Sequence, residues 1–347
     1  MKIIIYAGGI GSRLWPLSRE NSPKQFDKIF NNKSTIQLAL ERVAPVFGME
    51  NIFIQTVAPY KEIIKEQIQG IKDENILIEP ARRNLGPAVC FTMLEFAKRN
   101  FSGPVAILWA DHLMERVSEF TNTLKLGEKL INKEKNRIIF LAERPRFANN
   151  NLGWMQIGKK IGEMDGMDYY SFSTWSYKPS TEECGRMYRS GEHYWNPGYF
   201  ISSIEFLLDR YQRLSPEIYD KVKNNNYSEA EAIHFDRAII EKLDSKNALV
   251  IKTNMGWSDP GTLYALKEAL EDSSEANVLY GNVETLRTKD SLIYNFDKNK
   301  LIAGVGLKGM VVVNTADALV IVPKDEVVHI TELVAKMRER EDMKKYL

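Results

Sequence analysis

A glycine-rich segment near the start of the chain carries the clearest chemical signal in the sequence. Gly8, Gly9 and Gly11 follow a short apolar run, and Arg13 and Lys24 come soon after them. Glycines at the end of a strand let backbone N–H groups approach phosphate oxygens, because no Cβ stands in the way. Two fixed cations beside such a loop would neutralise a departing pyrophosphate. The segment indicates triphosphate chemistry, although a glycine turn with two surface cations remains the plain structural alternative.

The spacing in this segment differs from the two common phosphate-binding motifs. Leu14 stands where a dinucleotide-binding fingerprint requires its third glycine, and the segment lacks the Gly-Lys-Ser/Thr of a P-loop. The four histidines have no metal-ligand spacing, and no serine lies in a nucleophile-elbow motif. The sequence therefore argues against a nicotinamide-dependent oxidoreductase and against a hydrolase with a catalytic triad.

Length and composition predict a folded cytoplasmic protein. The 347 residues suggest about two domains, and a formal net charge of +1 provides no basic field for nucleic acid. No apolar run is long enough to span a membrane, and the opening residues are too short a run for a signal peptide. Cys90 and Cys184 form no metal or disulfide pattern, so we expect both to be buried in a reduced protein.

The distribution of apolar residues predicts two regions of different architecture. In the first, amphipathic stretches at 60–69 and 88–100 lie among apolar runs typical of strands in βαβ units, at residues 2–7, 51–55, 75–78, 105–109 and 137–141. A polar linker at 271–275 follows. Beyond it, a closing helix over 331–345 comes after short strands expected at 278–280, 292–294, 301–303, 310–313 and 318–322. We therefore predict domains at 1–270 and 278–347.

The glycine-rich segment belongs to a longer motif, and further motifs follow it along the chain. It reads Gly-Gly-Ile-Gly-Ser-Arg-Leu-Trp-Pro-Leu-Ser-Arg, with Pro-Lys-Gln-Phe at 23–26. Later motifs are Glu-Pro-Ala-Arg-Arg-Asn-Leu-Gly-Pro-Ala at 79–88, Ala-Asp-His at 110–112, Trp-Asn-Pro-Gly-Tyr-Phe at 195–200 and Gly-Trp-Ser-Asp-Pro-Gly at 256–261. Their order along nearly the whole chain resembles sugar-1-phosphate nucleotidylyltransferases, in particular the mannose-1-phosphate guanylyltransferase branch.

This resemblance implies both a fold and a reaction. The fold is an α/β, Rossmann-like nucleotidyltransferase (GT-A-like) mixed sheet with helices on both faces, plus a small C-terminal left-handed β-helix-like domain. The reaction converts GTP and mannose-1-phosphate to GDP-mannose and pyrophosphate, with Mg²⁺ as cofactor, as a step in polysaccharide biosynthesis. The same chemistry on another sugar-1-phosphate, such as a heptose phosphate, stays open, as does a non-catalytic subunit that senses nucleotide sugars. A homodimer also stays open, and we expect no nucleic-acid or membrane partner.

The resemblance also implies roles for charged residues. Asp111 and Asp259 resemble two metal carboxylates, although each alone could be an ordinary turn or cap residue. Arg13 and Lys24 would stabilise the departing pyrophosphate, and Lys178 would position the attacking phosphate, unless it is an ordinary surface lysine.

Further positions are implied to contact the nucleotide and the sugar. The nucleotide-binding positions are Ala7, Gly8, Gly9, Gly11, Ser12, Arg83 and Asn84, with Gly8 and the Arg83-Asn84 pair reading the base. The sugar-binding positions are Gly153, Tyr177, Asn196 and Gly198.

Three residues depart from the family pattern near the sugar. Tyr177 replaces a glutamate expected to accept hydrogen bonds from sugar hydroxyls, and Leu152 replaces a threonine. Met155 replaces a glycine, so we expect its bulk to press on the sugar. These departures predict either a different sugar or weak selectivity, which leaves the reaction class firmer than the acceptor.

Overall fold

The computed structural model describes residues 1–19, 23–27, 33–150, 152–176, 179–271, 273 and 275–347. Their contacts divide the chain into two units. The first, here called the sheet unit, comprises Met1–Gly8, Ala39–Ala110 and Met114–Trp257. The second, here called the β-helix unit, comprises Gly9–Leu38, Asp111–Leu113 and Ser258–Leu347.

The sheet unit is built on one ten-stranded mixed sheet. Its strands are β1 (Lys2–Tyr6), β2 (Ile52–Val57), β3 (Ile76–Glu79), β4 (Pro104–Trp109), β5 (Ile138–Glu143), β6 (Gly153–Met164), β7 (Met167–Ser176), β8 (His193–Asn196), β9 (Phe200–Ser203) and β10 (Ala248–Thr253). Their order is β10-β7-β6-β8-β5-β9-β4-β1-β2-β3. Strands β3, β2, β1 and β4 run parallel, as expected for βαβ units, whereas β9 runs antiparallel to both β4 and β5.

Helices cover both faces of this sheet. They are α1 (Thr35–Phe47), α2 (Lys61–Gln67), α3 (Leu85–Lys98), α4 (Val117–Lys133), α5 (Thr181–Ser190), α6 (Ile204–Leu214), α7 (Pro216–Lys223) and α8 (Phe235–Ala238). Helices α3, α6, α7 and α8 share one core with Ile4 and Phe200. Successive residues of a strand face opposite sides of the sheet, so Ile201 faces away from the side on which Phe200 packs. Helix α4 approaches Ile201 closely at Gly127 and therefore lies on that second face. The predicted α/β class is therefore confirmed.

The β-helix unit consists of stacked short strands and two helices. The elements are α9 (Leu263–Leu270), β11 (Val278–Tyr280), β12 (Val283–Leu286), β13 (Leu292–Asn295), β14 (Ile302–Val305), β15 (Met310–Asn314), β16 (Leu319–Pro323) and α10 (Ile330–Arg338). Strands β11, β13 and β15 stack in parallel, β12 pairs in parallel with β14, and β16 closes the larger sheet antiparallel to β15. Repeated parallel pairing of consecutive turns of chain is the β-helix-like arrangement that the sequence predicts.

The glycine-rich motif packs on the core of the β-helix unit. Leu14, Trp15 and Leu17 are buried in the same cluster as Leu292 and Val311. The Trp15 indole also donates a 2.7 Å hydrogen bond to the Tyr346 carbonyl. The segment that carries the predicted phosphate chemistry is therefore part of the C-terminal core.

The ends of two helices show local detail. Pro216 occupies the first turn of α7, and the Ser215 hydroxyl donates to the Ala238 carbonyl and does not cap that helix. The closing helix ends at Arg338, and 3₁₀ turns continue over Glu341–Tyr346. Cys90 and Cys184 are both buried, as expected. Within the described part of the chain, no helix combines the length and the apolar character needed to cross a membrane.

Candidate active site

The glycine-rich segment is held in shape by side chains of its own unit. Gly11 has φ +71° and accepts a 2.9 Å hydrogen bond from the Leu14 amide, which closes a tight turn. The Ser18 hydroxyl donates to the Ile10 carbonyl and accepts a 2.8 Å hydrogen bond from the Lys24 amide. Ser18 therefore ties Lys24 to the glycine turn.

Lys24 lies between the two predicted metal carboxylates. Its ammonium is 2.7 Å from Asp111 Oδ2 and 4.0 Å from Asp259 Oδ1. The Lys24 side chain is 9% exposed, whereas the two aspartates are 31% and 24% exposed. The structure thus brings two carboxylates from distant parts of the chain to one buried ammonium.

The charges in this cluster favour an ionised Asp111. Burial alone would raise the pKa of the Asp111 carboxyl, but the positive charges of Lys24 and His112 outweigh that effect and hold the pKa well below its usual range. Asp111 is consequently anionic at neutral pH and can serve as a cation ligand.

The Arg13 side chain lies near that of Asp259. A Cβ added at Gly261 would be 2.9 Å from Asp259 Oδ1 and 3.3 Å from Arg13 Nη2, so both side chains border this glycine. Arg13 itself is exposed. Arg13, Lys24, Asp111 and Asp259 therefore form one cluster, which Gly9 and Gly11 adjoin along the chain. Ser12 opens the 3₁₀ turn Ser12–Leu14, and only its backbone is described.

In the sheet unit, the end of β1 lies against a buried glutamate that the sequence analysis did not single out. The Ala7 amide donates to the Gln55 carbonyl at 2.8 Å, which continues the β1–β2 ladder. At Gly8 an added Cβ would be 2.9 Å from Glu79 Oε1. Glu79 is the last residue of β3 and is 7% exposed.

Burial changes the acid–base behaviour of Glu79. Desolvation raises its pKa to about 7, although the hydrogen bond from Tyr227 acts in the opposite direction. The Tyr227 hydroxyl donates to Glu79 Oε2 at 2.6 Å. A carboxyl beside Gly8 therefore changes its charge near neutral pH.

Arg83 and Asn84 follow β3 and open α3. The Arg83 guanidinium donates to the Ser228 carbonyl. Asn84 is exposed, has φ +59° at the helix start and makes no side-chain capping bond. The two residues lie in the same unit as Gly8 and Glu79.

Three of the four predicted sugar-binding residues lie together. Gly153 on β6 pairs with Asn196 on β8, and Asn196 Oδ1 accepts a 2.9 Å hydrogen bond from the Gly198 amide. Gly198 has φ +74°, and a Cβ there would be 2.9 Å from Trp109 Nε1. The amide of Asn196 therefore organises this turn. Tyr177 and Lys178 lie outside the described residues.

The expectation that Met155 presses on the sugar is wrong for this structure. Its side chain is fully buried and belongs to the main core of the sheet unit. On β6 it pairs with Trp175 of β7 and Tyr194 of β8. The methionine thus fills the protein interior, so it does not reduce the space open to a substrate.

A second buried carboxylate, Glu143, fixes the loop that leads towards Asp259. It accepts hydrogen bonds from the amides of Met255, Gly256 and Trp257 at 2.9, 2.9 and 3.2 Å, and from the Thr253 hydroxyl at 2.8 Å. Ser258 and Asp259 follow directly in the chain. Sequence reasoning missed Glu143 because nothing in its neighbourhood signals that backbone amides surround it.

The two aspartates are a sparse metal site by themselves. Among the residues that the structure describes, no group of three or more His, Cys, Asp and Glu side chains comes together as a metal site. Two carboxylates leave most coordination positions of a bound cation open. Such a site suits a hard cation that takes its remaining ligands from substrate phosphates and water.

Comparison with known proteins identifies the family of the chain. The family model for nucleotidyl transferases matches residues 2–276. The chain belongs to the nucleotidyl transferase family. A second model, for the MannoseP isomerase/GMP-like beta-helix domain, matches residues 281–337. The family predicted from the motifs is thereby confirmed, and this nucleotidyl transferase is an enzyme.

Several relatives of this nucleotidyl transferase are known. It is 28% identical to mannose-1-phosphate guanylyltransferase 2 of Escherichia coli O157:H7, over 96% of this chain and 73% of that protein. It is 29% identical to mannose-1-phosphate guanylyltransferase RfbM of Salmonella typhimurium, over 99% and 73%. A crystal structure described as mannose-1-phosphate geranyltransferase from Thermus thermophilus matches with a TM-score of 0.86 at 25% identity, over 97% of this chain and 99% of that one.

We predict that Gly11→Ala impairs catalysis as well as stability. An added Cβ would lie 2.8 Å from Ser18 Oγ and 3.1 Å from Lys24 Cγ, so Lys24 must shift. Gly70→Ala is the control, because Gly70 also has positive φ (+84°) but open space around it. Both variants should lose roughly 1–2 kcal/mol of unfolding free energy in urea. Only Gly11→Ala should release pyrophosphate more slowly, by about tenfold or more; equal rates in the two variants would contradict the assignment.

Proposed function

We propose that this nucleotidyl transferase transfers the guanylyl group of GTP to mannose-1-phosphate. A phosphate oxygen of the sugar phosphate attacks the α-phosphorus, the bond to the β-phosphate breaks, and GDP-mannose and pyrophosphate form. The curated relatives named above support this substrate pair. Other relatives are named xanthan biosynthesis protein XanB and alginate biosynthesis protein AlgA, which supports a role in supplying a polysaccharide precursor.

The observation that carries the proposal is the cluster of Lys24, Asp111, Asp259 and Arg13 beside the glycine turn. Phosphoryl transfer requires little covalent chemistry from the protein and depends on positioning and charge neutralisation. Lys24 is already fixed by Asp111 and Ser18, so its charge needs no reorganisation when pyrophosphate departs. Arg13 is exposed beside Asp259 and can approach the same leaving group.

The same carboxylates fit Mg²⁺. Oxygen ligands are those that this cation prefers, and both carboxylates already face one positive charge. Asp111 and Asp259 would hold the ion, which when bound would neutralise charge on the triphosphate and polarise its phosphoryl oxygens. Lys178 would hold the attacking phosphate, a role that depends on its Lys-Pro motif.

Glu79 is the residue best suited to read guanine. The Watson–Crick edge of guanine presents N–H donors, and an ionised carboxylate is an acceptor-only group. Glu79 lies beside the backbone of Gly8, for which the family resemblance implies a role in base recognition, and Oε1 faces that glycine while Tyr227 donates to Oε2. Adenine presents a different donor pattern, so this carboxylate would favour guanine over adenine.

The substrate pair is tested by measuring pyrophosphate release with each nucleoside triphosphate combined with mannose-, glucose- and heptose-1-phosphate. We expect the highest kcat/KM with GTP and mannose-1-phosphate. A higher value with a heptose phosphate would move the proposal to that acceptor. No release with any pair would indicate a non-catalytic relative.

We predict that activity requires a divalent cation and that Asp111→Asn lowers kcat by about 10²-fold or more, on the scale of losing one preorganised charged group. The substitution keeps the size of the side chain and removes the charge that a cation ligand needs. Asp73→Asn, which removes an exposed carboxylate paired with Lys61 and Lys65, should leave the rate unchanged. Full activity of the wild-type enzyme in excess chelator would refute the metal site.

We predict that the KM for GTP rises as pH falls from 8 to 6, because Glu79 with a pKa near 7 gains a proton and ceases to be a pure acceptor. Glu79→Gln should weaken GTP binding about tenfold at pH 8, the order of one hydrogen bond to a charged group. Its KM should then stay constant across this pH range. Glu74→Gln, at an exposed glutamate just before β3, should keep the wild-type profile. If the KM for GTP of Glu79→Gln still rose between pH 8 and pH 6 as in wild type, the assignment would be excluded.

A further inference from the structure

The chain after the glycine turn is fastened to the β-helix-like domain at Arg19. Its guanidinium makes a two-pronged interaction with Asp317, with Nη1 2.7 Å from Oδ2 and Nη2 2.6 Å from Oδ1. Nη2 also donates to the Thr315 hydroxyl at 3.2 Å, and Nε donates to the Pro16 carbonyl at 3.3 Å. Four acceptors thus fix both the position and the plane of one guanidinium.

The acceptors for Arg19 lie on a tight turn that is itself well anchored. The turn at 315–318 joins β15 to β16, and the Thr315 amide donates to the Ala318 carbonyl at 2.8 Å. The Thr315 hydroxyl also accepts from the Ala318 amide at 3.2 Å. Just before the turn, the buried Asn314 side chain donates to Asn295 Oδ1 on the neighbouring coil at 2.8 Å. The turn therefore presents Asp317 from a stiff support.

A short path leads from Arg19 to the catalytic cations. Ser18 is the preceding residue, and its hydroxyl connects the Ile10 carbonyl to the Lys24 amide. Arg13 lies on the same segment, between the glycine turn and Ser18. A shift of the backbone at Arg19 would therefore move Ser18 and, through it, Lys24.

The Arg19–Asp317 pair is too exposed to contribute much to the free energy of folding. The Arg19 side chain is 19% exposed and that of Asp317 is 42% exposed. Exposed pairs contribute about 0–1 kcal/mol to folding in most measurements. The pairing still holds the pKa of Asp317 below its usual value, through the hydrogen bond from Arg19. Geometric control of the segment is the role that four convergent acceptors provide.

We propose that Arg19 is a positioning residue, through which the turn at 315–318 holds Arg13 and Lys24 where the departing pyrophosphate requires them. The β-helix-like domain then contributes to the chemical step through this contact. The proposal rests on the proposed function, since it assumes that Lys24 and Arg13 act on pyrophosphate. It assigns a task to Asp317 and Thr315, which lie far along the chain from every motif of the sequence.

The test is Asp317→Asn, compared with Asp342→Asn. Asp342 forms an exposed 2.7 Å ion pair with Arg340 in the same unit, and in the described structure this pair makes no hydrogen bond or salt bridge to the glycine-rich segment. Asp317→Asn should lower kcat for pyrophosphate release about tenfold, as expected when catalytic groups are slightly misplaced. The KM for the sugar phosphate should stay within about twofold, because the displaced cations act on the leaving group. Asp342→Asn should change neither constant.

A second variant separates geometry from charge. Arg19→Lys keeps the positive charge but loses the planar fork, and should show the same loss of kcat. The variant that combines Arg19→Lys with Asp317→Asn should be no slower than either single variant, because both substitutions disrupt the same contact. Additive losses in the double variant, or a wild-type rate in Arg19→Lys, would overturn the proposal.

Hydrogen exchange of amides in residues 9–19 gives a readout that needs no substrate. Exchange there should be faster in Asp317→Asn than in wild type and unchanged in Asp342→Asn. A loss of kcat without faster exchange, or faster exchange without a loss of kcat, would refute the proposal. If the wild-type enzyme released no pyrophosphate with any substrate pair, the proposed function would fail, whereas the exchange data would still report whether Asp317 orders the segment.

Discussion

The ammonium of Lys24, buried beside Asp111 and Asp259, is the interaction on which the candidate site depends. Two carboxylates that converge without a cation repel each other, and that repulsion grows as water is excluded. Lys24 removes the repulsion in the free protein and holds the pKa of Asp111 low. Its pairing with Asp111 therefore contributes stability at neutral pH, and this contribution is lost only when strong acid protonates the carboxylate.

The placement of charged side chains gives a second reason for glycine at positions 11 and 261. From the sequence, the missing side chains in the glycine-rich segment are expected to give phosphates access to the backbone. At Gly11, the structure shows that a Cβ would instead meet Ser18 and Lys24, and at Gly261 it would meet Asp259 and Arg13. These two glycines make room for charged side chains of the protein itself. Phosphate access and side-chain packing therefore act as two separate constraints on the same kind of residue.

Glu79 and Glu143 show how burial alone does not define a functional carboxylate. Each is the last residue of a strand of the ten-stranded sheet, and both are buried. Glu143 receives three backbone amides and one hydroxyl, so its oxygens are fully engaged by the fold. Glu79 has fewer donors, and desolvation dominates its pKa. A buried carboxylate with unused acceptor capacity is available to a ligand, whereas a saturated one positions the backbone.

The sequence predicts the parts of the fold that follow a simple period. Strands β1 to β5 are short apolar runs, and each lies within about two residues of its predicted place. The β6–β7 hairpin escaped prediction, because most residues of its long strands are half-buried on both faces and their pairing shifts register between Gln156 and Gly162. Alternation of polar and apolar residues carries little information where both faces meet solvent.

The motifs likewise locate the charged cluster but leave out its internal contacts. They name Lys24, Asp111 and Asp259 with separate roles, and nothing in their spacing shows that the lysine pairs with the carboxylates. The error at Met155 has a related cause. A departure from the family pattern suggests a contact with the ligand, whereas its position on β6 places the side chain in the core. Glu79 belongs to one of the motifs, but the sequence indicates no role for it, because its burial and the nearness of Gly8 depend on the tertiary structure.

The packing of Leu14, Trp15 and Leu17 makes the C-terminal region part of the catalytic apparatus in a physical sense. These side chains share a core with strands β13 and β15, and Trp15 donates to a carbonyl near the end of the described chain. A loop that follows a strand usually pays a large entropic cost for a single conformation. Here burial of three large apolar side chains, each favourable by about 1.5–3 kcal/mol, offsets that cost from outside the main sheet. The parallel strands on which these side chains pack are joined by a continuous hydrogen-bond ladder. Packing on this ladder restricts the motion of the segment that carries Arg13 and Ser18.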